Sequence, residues 1–317
     1  MISRRTIRIK VLQILYAYYS LSDKSITMAE KELNFALSKT YDLYHYLLLL
    51  LIEMADFAQH RIDSNMVKLV PADEDLHPNT RFVDNQVVQL LRKNRRLNAY
   101  QNQSKLSWVN HPELVRDLYT FLSETAFFKE YMNSTTVSFF EERKFIEKVF
   151  QNIILISEDL YMILEEESIY WNDDVDIVVA MILKTLKNFD ENSDESQPLL
   201  PKYKDAEDEQ FARDLFRKAV INHDELRGLI DFHSSNWDLE RIAFMDILIM
   251  QLALTEFLYF PSIPTKVTLN EYIEMSKYYS TDKSRNFING ILDKALKELK
   301  EDKKVQKIGR GLIGENE

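Results

Sequence analysis

Residues Ile263 to Leu292 read IPTKVTLNEYIEMSKYYSTDKSRNFINGIL, and the punctuation of that stretch decides the fold class. Pro261 and Pro264 stop a strongly apolar helix expected over 237–259. Thr268 and Glu271 have the spacing of a capping box ahead of a helix reaching about Tyr279. Ser280-Thr281-Asp282 breaks that helix. A last amphipathic one follows, repeating Phe287, Ile288, Ile291, Leu292, Ala295, Leu296 and Leu299. The lysine-rich tail 301–317 is expected to fray.

The same periodicity extends upstream. Ile7, Val11, Ile14, Leu15 and Tyr18 predict a first helix over 4–20, and a long run free of Gly and Pro predicts a second over 27–60. Further helices are expected over 81–97, 112–132, 138–168, 174–189, 207–221 and 224–233, with Ser138 and Glu141 as a second capping box. The chain has 317 residues and only five glycines, three of them in the last nine positions. It therefore lacks the glycines of a phosphate loop, a dinucleotide fingerprint or a many-hairpin β fold. With no cysteine, disulfides, thiolate nucleophiles and cysteine-ligated metals are excluded. The expectation is an all-α protein. The longest apolar run, Tyr46–Ile52, is too short to cross a bilayer, and no signal peptide is legible, so a cytoplasmic location is expected.

A net charge of −11 taken as a total argues against nucleic acid, but it is unevenly placed. Residues 158–209 hold sixteen acids against four bases, while 1–19 carry four bases and no acid, and 266–310 carry eleven bases against seven acids. Because salt screens exposed charges beyond roughly 8 Å, such local asymmetry outweighs the total. Residues 190–209, acidic and broken by two prolines, read as a mobile linker.

No catalytic constellation is visible. Asp42 and His45 share the spacing of a carboxylate-bridged metal pair, but no second such pair exists, and a polar contact between helices is the simpler reading. No metal site and no cofactor is expected. On α-helical geometry Arg4, Arg5 and Arg8 fall within about 100° of one another, with Tyr16 and Tyr19 continuing that sector. Guanidinium forks and rings on one face suit single-stranded RNA, through phosphate clamping and base stacking; a solvated basic helix end is the alternative. Lys283, Arg285 and Phe287 open the last helix, where backbone N–H groups favour a phosphate. Phe287 either stacks a base or begins the core stripe. Arg92-Lys93-Asn94-Arg95-Arg96 either extends an RNA path or pairs with the acidic linker.

Three segments together resemble the C-terminal signature of the NusB family of transcription antitermination factors: Trp237-Asp238-Leu239-Glu240-Arg241-Ile242, the run from Ile263 to Glu274, and Lys277 to Asp293 with its Phe287-Ile288-Asn289-Gly290. Arg4-Arg5, Arg8 and Val11-Leu12-Gln13-Ile14-Leu15-Tyr16 are similar to that family's Arg-rich first helix. Phe211–Ile230 is similar to the helical pair that precedes its Trp-x-Leu-x-Arg segment.

The resemblance covers residues 1–40 and 207–300. It implies a NusB-like helical bundle with 41–206 as an added helical region ending in the acidic linker. It implies a non-catalytic factor of the transcription elongation complex, which pairs with the ribosomal protein NusE and binds single-stranded boxA RNA of ribosomal leaders. Carried over by position, the RNA-facing residues would be Arg4, Arg5, Arg8, Tyr16, Lys283, Arg285 and Phe287, and the partner-facing acids Glu240 and Asp246. Lys283 departs from family members that carry an acid there. A helical protein-interaction scaffold with a vestigial RNA face is the alternative. An accessory module of an RNA-modifying enzyme is a third reading, since NusB-like domains also occur fused to an RNA methyltransferase.

Overall fold

The structure is a computed structural model that describes residues 1–22, 25–136, 138–234 and 243–314. Among the described residues every regular element is helical. In chain order the helices are α1 (Arg4–Ser20), α2 (Ile26–Met66), α3 (Asp73–Leu76), α4 (Gln86–Lys93), α5 (Arg95–Ser104), α6 (Pro112–Glu124), α7 (Ala126–Asn133), α8 (Phe139–Val149), α9 (Glu158–Glu167) and α10 (Val175–Lys187). They continue with α11 (Ala206–Ile221), α12 (His223–His233), α13 (Phe244–Tyr259), α14 (Thr265–Tyr279) and α15 (Asp282–Glu301). The chain divides into two compact units, one of residues 1–2 and 38–202, the other of residues 3–37 and 203–317.

In the second unit α13 is the axis. Its residues are apolar all round the helix, and every position from Asp246 to Phe257 is buried, as such a composition requires. Helices α1, α11, α12, α14 and α15 pack around it. Its few polar side chains are satisfied: Gln251 donates to the Ala219 carbonyl at 2.7 Å and to the Tyr19 hydroxyl at 3.0 Å, and Thr255 donates to the Gln251 carbonyl.

The first unit is built on the leucine-rich part of α2, where the whole run Leu43–Ile52 is buried. Stacked rings complete its core, with Tyr46 on Trp108 at 3.8 Å and Tyr131 on Phe145 at 3.7 Å. His45 is buried against Tyr100 at 3.7 Å, and its Nδ1 bonds the Tyr41 carbonyl at 2.9 Å, while Asp42 accepts from the Tyr100 hydroxyl at 2.7 Å. Asp42 and His45 are thus spent on packing.

Several expected elements differ. The helix expected over 81–97 is two, because the Asn94 side chain accepts from the Arg96 and Leu97 amides and starts a new helix. Thr125 divides 112–132 in the same way, accepting from the Phe128 amide. A wider π-type turn over Phe150–Ile154 and the Ser157 cap divide 138–168. Ser138 does cap α8, but the Glu141 carboxylate accepts from Thr136. Thr268 and Glu271 are not a cap at all. Helix α14 already starts at Thr265, and both side chains face arginine chemistry described below.

The acidic stretch 190–209 is anchored at its ends. Phe189, Leu199 and Leu200 are buried, Gln197 donates to the Asn188 carbonyl at 3.0 Å, and α11 begins at Ala206 with Asp205 as its cap. Beyond α15 the described part of the tail returns to the Pro261 turn. The Ile308 amide donates to the Pro261 carbonyl at 3.0 Å, and a short 3-10 turn over Gly309–Leu312 lies against that proline.

Candidate nucleic-acid interface

Ser3 caps α1, its hydroxyl accepting from the Thr6 amide at 3.1 Å, and this places the arginines in the first two turns. Their surroundings differ sharply. Arg8 is buried, with only 4% of its side chain exposed. Its guanidinium donates to both oxygens of Glu256 at 2.7 and 2.8 Å, the same carboxylate accepts from Thr268 at 2.7 Å, and the Tyr272 hydroxyl donates to it at 3.3 Å. Every lone pair that matters on Glu256 is thereby used. Burial by itself would lower the Arg8 pKa, but the Glu256 charge and hydrogen bonds outweigh it and hold the group more firmly protonated than usual. Arg8 is therefore an internal strut and is withdrawn from the RNA-facing set.

Arg5, one turn away, is different. It makes a fork to Glu271 at 2.8 and 3.0 Å, yet 54% of its side chain is open to water. Arg4 lies between, donating to Asp208 at 2.7 Å and Glu207 at 2.8 Å with its guanidinium 5.1 Å over the Phe211 ring. The Arg5–Glu271 and Arg4–Glu207 contacts are exposed, whereas Asp208 is buried and holds Arg4 from the inside.

The far half of α1 carries the rings. Tyr16 is 44% exposed and stands 5.6 Å from Phe244, itself exposed at the start of α13. Tyr19 is turned inward, 4.8 Å from His223, and its hydroxyl accepts from Gln251. Gln13 on α1 donates to the Tyr279 hydroxyl at 3.2 Å at the end of α14, which ties this half of α1 to the junction that leads into α15. There Thr281 caps α15, accepting from the Ser284 amide at 3.2 Å. Lys283 is exposed, and Arg285 and Phe287 are half-buried.

The two basic sets meet across α14. Glu274, half-buried on that helix, has its pKa lowered first by a hydrogen bond from Lys277 and further by the fields of Arg5 and Arg285. Tyr278, 82% exposed, lies on the same stretch of α14.

The acid Asp246 is not a surface group. It is buried at the first turn of α13 and accepts from the Ser280 hydroxyl, so its role is to join α13 to the α14–α15 junction. Glu240 lies outside the described residues, as does the Trp237–Ile242 segment. The charge partners Glu256, Glu271 and Asp208 escaped the sequence reading. A lone glutamate inside the apolar run of α13 was the available signal, because a buried acid of that kind requires a cation. Among the described residues no group of His, Asp and Glu is placed to hold a metal, and no helix is long and apolar enough to cross a membrane.

With this geometry in view, residues 175–297 match the NusB family model. The chain is 37% identical over 139 residues to the transcription antitermination protein NusB of Salinibacter ruber, a match spanning 42% of this chain and 87% of that protein. The chain belongs to the NusB family. The NusB protein of Chloroherpeton thalassium is 39% identical over 109 residues (34% of this chain and 52% of that protein), and that of Desulfatibacillum aliphaticivorans is 40% identical over 98 residues (31% and 68%). No solved structure matches the chain. Membership makes this an all-α, non-catalytic factor of the transcription antitermination type. The family match begins at Val175, inside α10, and therefore reaches upstream of residue 207.

Proposed function

We propose that this NusB-family chain binds single-stranded boxA-type RNA together with the ribosomal protein NusE and acts in the transcription elongation complex. The observation that carries the reading is the exposed side of α1, where Arg5 is 54% and Tyr16 44% open to water, with Lys283 exposed at the start of α15. Phosphates would compete with Glu271 for Arg5 and with Glu207 for Arg4, and the open ring of Tyr16 would stack an unpaired base. Phe287, half-buried, lies between core and surface and adds a second aromatic edge. Arg8 supports this face from below without touching RNA.

The division of labour belongs to the same proposal. Residues 1–40 and 207–300 form the RNA-binding body, and 41–206 is a region added to it. The separate core of residues 38–202 supports that division, although the family match places α10 among the family-like sequence.

The test is a double variant, Arg5→Ala with Arg285→Ala, titrated into fluorescent boxA RNA. Each lost phosphate contact on a single strand flattens the salt dependence by roughly 0.7 in log–log slope, so the pair should flatten it by about 1.4 and weaken binding at least tenfold. Wild-type affinity in the folded double variant would sink the assignment.

A further inference from the structure

The acidic loop of the 38–202 unit rests on a basic corner of that unit. Helices α4 and α5 meet at Asn94, and Arg92, Lys93, Arg95 and Arg96 crowd that corner. Arg92 is committed to Asp56. Arg95 is held by Glu195 twice, through its guanidinium and through its backbone amide, which donates to the Glu195 carbonyl at 2.9 Å, while Asn94 donates to the Gln197 carbonyl at 2.8 Å. Lys93 and Arg96 are exposed and pair with no carboxylate among the described residues.

The loop is firmly rooted but lightly held at its tip. Its feet are the buried Phe189 and Leu199, with Arg143 donating to the Phe189 carbonyl at 3.1 Å. Its tip, bearing Asp190, Glu191, Asp194 and Glu195, is exposed. The Arg95–Glu195 pair is open to water on both sides, 71% and 48%, and such pairs contribute little to stability. Beside this contact lies a shallow cavity lined by Gln86, Lys93, Phe139, Asp190 and Glu191, among others. It offers a half-buried ring, an exposed side-chain amide and a cation within one depression.

We propose that this corner is a second binding site for single-stranded RNA, and that the acidic loop occupies it as an internal stand-in for the phosphate backbone. Phosphates seat on Lys93, Arg95 and Arg96, and an unstacked base enters the cavity against Phe139 with Gln86 on its edge. The aromatic ring and the amide favour RNA over an acidic peptide, which would use the cations alone.

The test uses the full chain in an Arg5→Ala, Lys283→Ala, Arg285→Ala background, so that the proposed boxA face does not contribute and the two readings fail separately. In it the loop is neutralised by Asp190→Asn, Glu191→Gln, Asp194→Asn and Glu195→Gln, which keep the acceptors that fold the tip. The probe is a labelled oligouridylate. The expected result is affinity raised about threefold, with the salt dependence steeper by about 0.7 for the one cation released, Arg95. Adding Lys93→Ala, Arg95→Ala and Arg96→Ala should abolish the gain. Neutralising four exposed acids elsewhere on the unit (Glu124, Glu130, Glu165 and Glu166) should give a much smaller one. An equal gain from that control set overturns the proposal. So does a gain that survives loss of the three cations, the absence of any gain, or binding of polyglutamate as tight as that of RNA.

Discussion

Arg5 and Arg8 occupy one face of one helix three residues apart, and they do opposite things. Arg8→Ala leaves Glu256 charged and buried without its cation, which should cost about 3–5 kcal/mol and lower the urea midpoint of the 3–37 and 203–317 unit. Arg5→Ala removes an exposed pair and should cost under about 1 kcal/mol. Urea unfolding of both variants separates the strut from the surface cation; equal losses would contradict this division. His45 gives a second test at this scale. Burial lowers its pKa from 6.5 to about 4, so the folded protein excludes a proton that the unfolded chain accepts. Stability of the 38–202 unit is therefore full above about pH 6.5 and falls as pH drops toward 4, by roughly 3 kcal/mol at the lower end. Thermal melts followed by the fluorescence of Trp108 and Trp171 should show the decline, and His45→Gln should flatten its acid part. An unchanged pH profile in that variant would place the dependence elsewhere.

At the scale of elements, periodicity sufficed for helix type but not for helix ends. The heptad-like patterns over 81–97 and 112–132 run straight through Asn94 and Thr125, because each side chain caps a new helix without interrupting the apolar spacing. Thr268 and Glu271 mimic a capping box in spacing, yet tertiary partners claim both, Glu256 for one and Arg5 for the other. The basic, aromatic face of α1 was legible in the sequence. What was hidden is which of its cations a buried acid would consume, since Glu256 lies 248 positions away. The C-terminal segment shows the same limit. Its composition reads as a frayed tail, whereas Gly311 fits where a Cβ would stand 2.0 Å from the Pro261 carbonyl oxygen. Gly311→Ala should undock the segment, and amide exchange at Ile308, whose N–H donates to Pro261, should quicken at least tenfold. Unaltered protection would show that the proline contact does not hold the segment.

For the whole molecule, net charge is a poor guide. Of the sixteen acids between 158 and 209, Asp190, Glu191, Asp194 and Glu195 lie on the loop at the α4–α5 corner, while Glu207 and Asp208 pair with Arg4 in the unit that carries α1, α14 and α15. The family body was readable because its motifs are short and ordered along the chain. The interior of the 38–202 unit was not, because ring stacks such as Tyr46 on Trp108 join positions that no local pattern links. RNA binding by the arginine face of this NusB-family chain is tested by fluorescence anisotropy of a short boxA-type RNA titrated with the protein, alone and with the ribosomal partner NusE, at two salt concentrations. Binding should be strengthened by the partner, weakened steeply by salt and not reproduced by a scrambled RNA. Absence of binding at both salt concentrations, with and without the partner, would contradict it.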